Sequence, residues 1–268
     1  MKSSSASMTE LVSAPEETFQ GLRRFNAVMG VFHLAQFILM LILSNDFSLP
    51  IITSYLKFDP AATRLVQNPR EIGELLIGPA AAVFLLLSAL AHLSLATFGY
   101  KYYVRNLKRH INRARWYEYA LSSSLMIVII AMLSGMYDLS SLILIFALNA
   151  MMILFGYMME LHNQTTERTD WTAFIFGCIA GIVPWITIGM YLVGANQSPD
   201  TDVPDFVYGI FFSLFVFFNT FAINMYLQYR EIGRWRDYLF GERMYIVLSL
   251  VAKSALAWQI FFGTLRDV

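Results

Sequence analysis

Seven stretches of this chain are apolar over roughly 20 residues, the length that an α-helix needs to cross the hydrocarbon core of a bilayer. The 268 residues are 57% hydrophobic and only 14% charged, whereas soluble domains contain about 25% charged residues. The sequence therefore predicts an all-α membrane protein, a bundle of seven transmembrane helices. The predicted spans are approximately 25–44, 72–97, 116–136, 139–159, 171–193, 206–227 and 243–262.

The segments outside these spans are short and polar. Residues 1–20 are rich in Ser, Ala and Glu and have no apolar core behind a basic start, so they predict a disordered N-terminal tail and not a signal peptide. Residues 21–268 then form the seven-helix domain. The longest connection, roughly 46–71, contains three prolines and a β-prone run at 51–55. This pattern predicts a small β-hairpin in the first extracellular loop.

Lysine and arginine are distributed unequally between the two ends of the predicted bundle. Seven spans place the termini on opposite sides, and cytoplasmic loops carry an excess of Lys and Arg. The end with the N-terminus has fourteen of them and the other end has four, which predicts a multi-pass cell-membrane protein with its N-terminus inside and its C-terminus outside. The fourteen are Lys2, Arg23, Arg24, Lys101, Arg105, Lys108, Arg109, Arg113, Arg115, Arg168, Arg230, Arg234, Arg236 and Arg243; the four are Lys57, Arg64, Arg70 and Arg266. Because the net charge is zero, composition does not predict binding to nucleic acid.

The nineteenth basic residue, Lys253, lies inside the last apolar stretch. It follows Gly241 by twelve residues, about 18 Å along a helix, which is near the middle of a ~30 Å hydrocarbon core. A lysine at that depth costs about 2.5–3.5 kcal/mol on insertion scales, so we expect it to face the bundle interior. A buried neutral amine can attack a carbonyl and form an imine. A structural ion pair is the alternative explanation.

Glu118 is the expected partner of Lys253, because it is the one acid well inside the third span. It lies three residues beyond Arg115, about 4.5 Å, so the pairing requires either a third helix that extends below the membrane surface or a bridging water. A protonated imine in a low-dielectric interior needs a counter-charge, which Glu118 can supply. The alternative is an interfacial glutamate that pairs with a neighbouring arginine.

Several polar side chains fall in the spans near these two residues, one helical turn from each other or from the charged pair. They predict a polar cavity that opens from Lys253 towards the cytoplasm, although a histidine inside a membrane also serves helix packing. Their spacing does not support a zinc site, and no nucleophile–base pair or phosphate-binding loop indicates an enzyme. The residues are His33, Gln36, Ser88, His92, Ser122 and Ser249.

Two further spans have distinctive compositions. The phenylalanine-rich segment 211–219 predicts either one wall of a slot for a flat apolar ligand or packing against lipid and helices. Ala173, Gly177 and Gly181 recur every four residues, which permits close approach to a helix of the same bundle or of another subunit. The single cysteine, Cys178, lies in an apolar run and predicts a packed thiol.

Seven spans with a buried lysine in the last and an acid in the third are the arrangement of retinal-binding rhodopsins, and the sequence resembles the heliorhodopsins. The resemblance covers residues 25–263 and touches every span. This family has its N-terminus in the cytoplasm, as the charge count predicts. The matching stretches are Gly30–Leu34, Ser88–His92, Glu118–Tyr119 with Ser122–Ser124, Asn149–Gly156, Phe176–Trp185 and Tyr245–Gln259.

The resemblance implies a photoreceptor in which Lys253 binds all-trans retinal as a protonated Schiff base and Glu118 is the counterion. It also implies a homodimer, a slow photocycle and, in most members, no ion pumping, although some viral relatives conduct protons. We therefore expect a non-enzymatic light sensor with a cytoplasmic signalling partner. A light-gated proton channel and a receptor or structural protein without chromophore are the alternatives. The implied cavity residues are His33, Gln36, Ser88, His92 and Asn112, and the implied retinal contacts are Ser122, Met126, Asn149, Trp185, Phe215, Ser249 and Trp258.

Overall fold

The computed structural model describes residues 11–197 and 203–265 of the chain. Seven helices in this part are long and apolar enough to cross a membrane, which confirms the predicted class. An additional short helix, α3, follows the second span. The helices are α1 (Glu16–Ile42), α2 (Ile77–Ala96), α3 (Tyr100–Leu107), α4 (Arg113–Leu133), α5 (Leu139–His162), α6 (Thr172–Asn196), α7 (Asp205–Tyr229) and α8 (Tyr238–Ile260), the last continued by a π-helical turn, Phe261–Leu265.

Helix α1 begins earlier than the sequence predicts. It starts at Glu16, so residues 16–20 are helical, whereas the sequence predicts a disordered tail up to residue 20. Two features explain the earlier start. Acidic side chains in the first turn interact favourably with the partial positive charge of a helix N-terminus, and Phe19 is buried against α3. Residues 1–10 lie outside the described residues.

The predicted hairpin is confirmed and is longer than expected. Strands β1 (Ser48–Asp59) and β2 (Arg64–Leu76) pair antiparallel, with a register shift between Ile51 and Ile52. Strand β2 runs directly into α2, so the second span begins at Ile77 and not near residue 72. The backbone N–H of Ile52 donates to the carbonyl oxygen of Tyr137 at 2.9 Å. This bond attaches the base of the hairpin to the connection between α4 and α5.

Helix packing creates a dense side and an open side of the bundle. Helix α1 packs along α2, α2 packs on α4 and α8, and α5 packs between α4 and α6. The largest apolar core lies among α2, α4 and α8, where Phe84, Ile127 and Leu256 are fully buried. Helices α6 and α7 have few close backbone contacts with each other. The open side therefore lies between α6 and α7.

Candidate functional site

Lys253 and Glu118 form a direct ion pair in the interior of the bundle. Lys253 is 3% exposed, and its Nζ donates to Glu118 Oε1 at 2.7 Å and to Ser249 Oγ at 3.1 Å. It also donates to Ser88 Oγ, which in turn donates to the same Glu118 oxygen at 2.7 Å. The charged pair is thus held by α2, α4 and α8 without a bridging water. The alternative in which Glu118 pairs with a neighbouring arginine is wrong.

The lysine faces the interior because of the helical period of α8. Buried positions recur there every three or four residues, which is the spacing of one helix face. Ser249 precedes Lys253 by one turn on that face, and Leu256 and Ile260 continue it beyond the lysine. The polar part of the buried face therefore lies on one side of Lys253 and the apolar part on the other.

A cavity of about 350 Å³ lies beside Lys253 among α4, α5, α6, α7 and α8. This volume is within the ~300–1,000 Å³ range of small-molecule sites. Its walls are mostly apolar and include Met126, Trp185 and Phe218. Ser122 Oγ also lines it and is a buried hydroxyl without a hydrogen-bond partner among the described residues. The cavity suits an apolar ligand with a reactive group at the lysine end.

Glycines allow the walls of this cavity to form. A Cβ at Gly181 would overlap the Met152 side chain of α5, and a Cβ at Gly177 would lie 3.3 Å from Phe155 Cβ. Such approach between helices requires residues without a side chain at the contact. The four-residue glycine spacing in the fifth span therefore serves packing of α6 against α5 within the bundle.

The cavity opens at the surface of the bundle. Cys178, Ile182 and Asn219 contribute to its lining and are exposed at the surface of the chain. The expectation of a packed thiol is therefore wrong for Cys178. Its neighbour Gly177 takes the inward-facing position of the helix, so the cysteine points outward.

Trp185 joins α6 and α7 across their otherwise open contact. Its ring meets three phenylalanine rings of α7 edge-on, at centroid distances of 5.4–5.6 Å. Of these rings, Phe218 also lines the cavity, whereas Phe211 and Phe215 do not. The phenylalanine-rich segment thus acts mainly in helix packing and contributes Phe218 and Asn219 to the cavity wall.

The structure separates the implied retinal contacts into two groups. Five line the cavity: Ser122, Met126, Trp185, Ser249 and Lys253. The other four residues of the implied retinal site, Glu118, Asn149, Phe215 and Trp258, do not line it. Asn149 donates to Ser123 and Ser124 between α4 and α5, Phe215 packs on Trp185, and Trp258 Nε1 donates to Gln36 Oε1 at 3.1 Å.

Four of the five implied polar-cavity residues lie on α1 and α2. The rings of His33 and His92 stack 5.6 Å apart and nearly parallel, and His92 Nδ1 lies 2.8 Å from Asn26 Oδ1. Asn26 Nδ2 in turn donates to the Tyr103 hydroxyl at 3.4 Å. Ser88 contacts the ion pair directly, whereas Gln36 binds Trp258. A polar path therefore runs along α1 and α2 from the vicinity of the ion pair to α3.

The fifth implied cavity residue, Asn112, belongs to a different cluster. Arg115 donates to both Glu160 and Glu242. The Asn112 backbone N–H donates to Glu160 Oε2 at 2.9 Å, its Nδ2 donates to Glu242 Oε2 at 2.8 Å, and Trp116 Nε1 donates to Glu160 Oε2 at 2.6 Å. Arg115, Glu160 and Glu242, hereafter the arginine network, join α4, α5 and α8.

Sequence reasoning missed the arginine network because each member lies at the end of a predicted span, where a charged residue is ordinarily interfacial. All three are buried, at 6%, 2% and 1% exposure respectively. Glu160 and Glu242 are predicted at the same end of the bundle as Arg115, and this shared position was the signal that could have predicted an ion pair. Among the described residues, no three His, Cys, Asp or Glu side chains form a potential metal site.

A seven-helix membrane bundle with a lysine–carboxylate pair at the wall of an apolar cavity is the architecture of the rhodopsin class of photoreceptors. The family model for heliorhodopsin matches residues 22–265. The chain therefore belongs to the heliorhodopsin family, a family of retinal-binding, light-sensing membrane proteins and not a classical enzyme family. None of the curated proteins compared with this chain matches it.

Proposed function

We propose that this protein is a light sensor in which Lys253 carries all-trans retinal as a protonated Schiff base with Glu118 as the counterion. One observation carries the proposal. The amine of Lys253 lies at the wall of an apolar cavity and contacts a carboxylate directly. A lysine that served only as a structural ion pair would not require a cavity of about 350 Å³ beside it.

The residues around the cavity fit the proposed ligand. Condensation of the lysine amine with an aldehyde releases one water and leaves a nitrogen that keeps a proton and a positive charge. Retinal, when bound, supplies the absorption of visible light and the light-driven change of shape. Met126, Trp185 and Phe218 provide apolar surface for a polyene, and the opening between α6 and α7 gives access from the lipid.

Glu118 and Ser88 determine where the proton of the lysine nitrogen can go. Both accept a hydrogen bond from Nζ, and Ser88 donates to Glu118. A displaced proton therefore has an acceptor in direct contact, on the side where His33 and His92 lie. Beyond Lys253 the buried face of α8 is apolar, at Leu256 and Ile260. This asymmetry favours a sensor that retains the proton over a pump that expels it.

The proposal includes a cell-membrane location with the N-terminus in the cytoplasm, supported by the unequal distribution of Lys and Arg. A homodimer, a slow photocycle without ion pumping and a cytoplasmic signalling partner are proposed from family membership. The first and last described segments lie at opposite ends of the bundle. Asn45, just after α1, donates to the Thr264 carbonyl of the π-helical turn, so the start of α1 is at the other end.

The covalent attachment is tested by adding all-trans retinal to the purified protein and recording its visible spectrum. Lys253→Ala should remain colourless, while Lys57→Ala, which removes an exposed lysine of the hairpin, should give the wild-type band. Borohydride reduction followed by peptide mass spectrometry should find the added mass on Lys253. A folded Lys253→Ala protein that still develops the band would contradict the attachment.

The counterion and the transport properties need separate measurements. Glu118→Gln should shift the absorption maximum to longer wavelength, because loss of the negative charge near the lysine nitrogen destabilises the ground state more than the excited state. Illumination under voltage clamp should give little net current. A photocurrent whose sign follows the membrane voltage would instead identify a light-gated proton channel.

A further inference from the structure

Helix α3 packs at the end of the bundle where α1 begins, and three residues separate it from the end of α2 at Ala96. Its inner side, with Tyr103 and Leu107, is buried against the first turns of α1. Its outer side carries cations that are exposed to solvent. The helix is therefore amphipathic and is positioned where a membrane span meets the headgroup region.

A groove of about 600 Å³ runs between α3 and the start of α1. Its lining includes four cations, Lys101, Arg105, Lys108 and Arg109, hereafter the basic groove. None of these four side chains forms a salt bridge or a side-chain hydrogen bond within residues 11–197 and 203–265. Glu16 is the one carboxylate in the described lining, and it accepts a hydrogen bond from the Tyr100 hydroxyl at 3.1 Å.

Exposed aromatic residues place the basic groove at the level of lipid headgroups. Phe98, in the turn between α2 and α3, is 88% exposed, and Tyr102 of α3 is 40% exposed. Tyrosine is enriched at membrane–water interfaces, and amphipathic helices that lie in the interface carry phenylalanine on their apolar side. A soluble protein could reach the groove only if its binding surface avoided contact with Phe98 and Tyr102.

We propose that the basic groove binds the phosphate of an anionic phospholipid headgroup. Clusters of four to eight Lys and Arg next to a membrane span, or on an amphipathic helix, are typical of such binding. Among the described residues, Arg105 and Lys108 lie over the aromatic rings of Tyr102 and Phe19, but none of the four cations pairs with a carboxylate, so their positive charge is available to a phosphate. The binding requires neither retinal nor the Lys253–Glu118 pair, so it can be tested on the full chain with and without pigment.

The test is a titration of the purified protein with phosphatidylglycerol or phosphatidylcholine, followed by native mass spectrometry. A variant with Lys101→Gln, Arg105→Gln, Lys108→Gln and Arg109→Gln should bind phosphatidylglycerol about tenfold more weakly. The control replaces four exposed arginines at the same end of the bundle but outside the groove, and its affinity should change by less than about twofold. These control positions are Arg168, Arg230, Arg234 and Arg236.

Glu16→Gln provides a test of opposite sign. Removing the carboxylate of the groove should strengthen phosphatidylglycerol binding by about two- to fivefold, whereas a purely structural effect would weaken it. If the fourfold variant does not fold, Arg105→Gln alone should lower the affinity about twofold, and raising the salt concentration should weaken binding to the wild-type protein.

Four outcomes would overturn the proposal. The first is equal affinity of the wild-type protein for the anionic and the neutral lipid, and the second is an equal loss in the groove variant and its control. The third is a groove that binds inorganic phosphate as tightly as the lipid. The fourth is a groove that binds poly-glutamate but no phosphatidylglycerol. The last result would identify an acidic protein partner instead.

Discussion

Arg115→Ala tests whether the arginine network holds three membrane helices together. Arg115 is the cation shared by Glu160 of α5 and Glu242 of α8, and both carboxylates are almost completely buried. Truncation leaves two acidic side chains inside the bundle without a counter-charge. It also removes the guanidinium that lies 3.8 Å from the centre of the Tyr245 ring.

The expected loss of stability is large. Removing one partner of a buried ion pair costs about 3–5 kcal/mol, because it leaves an uncompensated charge in a low-dielectric interior. The remaining donors from Asn112 and Trp116 stay in place, which keeps the loss within this range. With a shift of about 2–4 °C for each kcal/mol in chains of this size, the midpoint of thermal unfolding should fall by roughly 6–20 °C.

Thermal unfolding of the protein in lipid nanodiscs measures this change, and Arg113→Ala is the matched control. Arg113 lies on the same helix, two residues earlier, and is exposed. Substitutions at such surface positions usually change stability by less than about 0.5 kcal/mol. If Arg115→Ala and Arg113→Ala unfold at the same temperature, the buried network does not hold α4, α5 and α8 together.

The charge balance of the network gives a second comparison. Two carboxylates face one guanidinium, so Glu160→Gln or Glu242→Gln leaves one cation and one anion with nearly unchanged shape. Each should therefore destabilise the protein less than Arg115→Ala. Glutamine variants that are as unstable as Arg115→Ala would show that shape, and not charge, dominates the energetics of this cluster.

Three further predictions concern the cavity opening, the cavity wall and the loop between α3 and α4. A bulky maleimide attached to Cys178, the only cysteine, should slow retinal uptake without preventing folding, and Cys178→Ala treated in the same way should take up retinal at the normal rate. Gly181→Val should push the Met152 side chain into the cavity and lower both pigment yield and thermal stability; unchanged values would show that α6 can move away from α5. Burial lowers the pKa of His110, so the unfolded chain binds a proton that the folded protein does not, and stability should fall as the pH drops below about 6.5. His110→Gln should reduce that acid-dependent loss, measured as the unfolding midpoint against pH, and an identical pH profile would contradict this assignment.

The spans could be predicted from hydropathy because the bilayer imposes one length and one composition on every helix that crosses it. The same pattern does not locate α3, which carries two cations itself and is followed directly by two more, or the early start of α1 at Glu16. Both segments acquire their order from contact with each other, through Phe19 and Leu107. Such packing outside the membrane has no hydropathy signal.

The ion pair could be predicted for a different physical reason. A charged residue in the middle of the membrane has few acceptable environments, so the expected partners of Lys253 are the acids of the neighbouring spans. Glu118 was the one candidate well inside the third span, and the structure places it 2.7 Å away. Uncharged side chains have many more acceptable environments. Asn149 and Trp258 donate hydrogen bonds to Ser123 and Gln36, and neither lines the cavity.

The apparent depth mismatch between Glu118 and Lys253 came from treating Arg115 as a marker of the membrane surface. An arginine between two carboxylates needs no contact with water, so its position does not indicate where the membrane ends. The exposed Arg113, where α4 begins, is the better marker, and it places Glu118 deeper in the bundle. Without Arg115 the end with the N-terminus retains thirteen Lys and Arg against four at the other end. The proposed orientation therefore does not depend on Arg115, and the unequal distribution of the remaining Lys and Arg still supports it under the positive-inside rule.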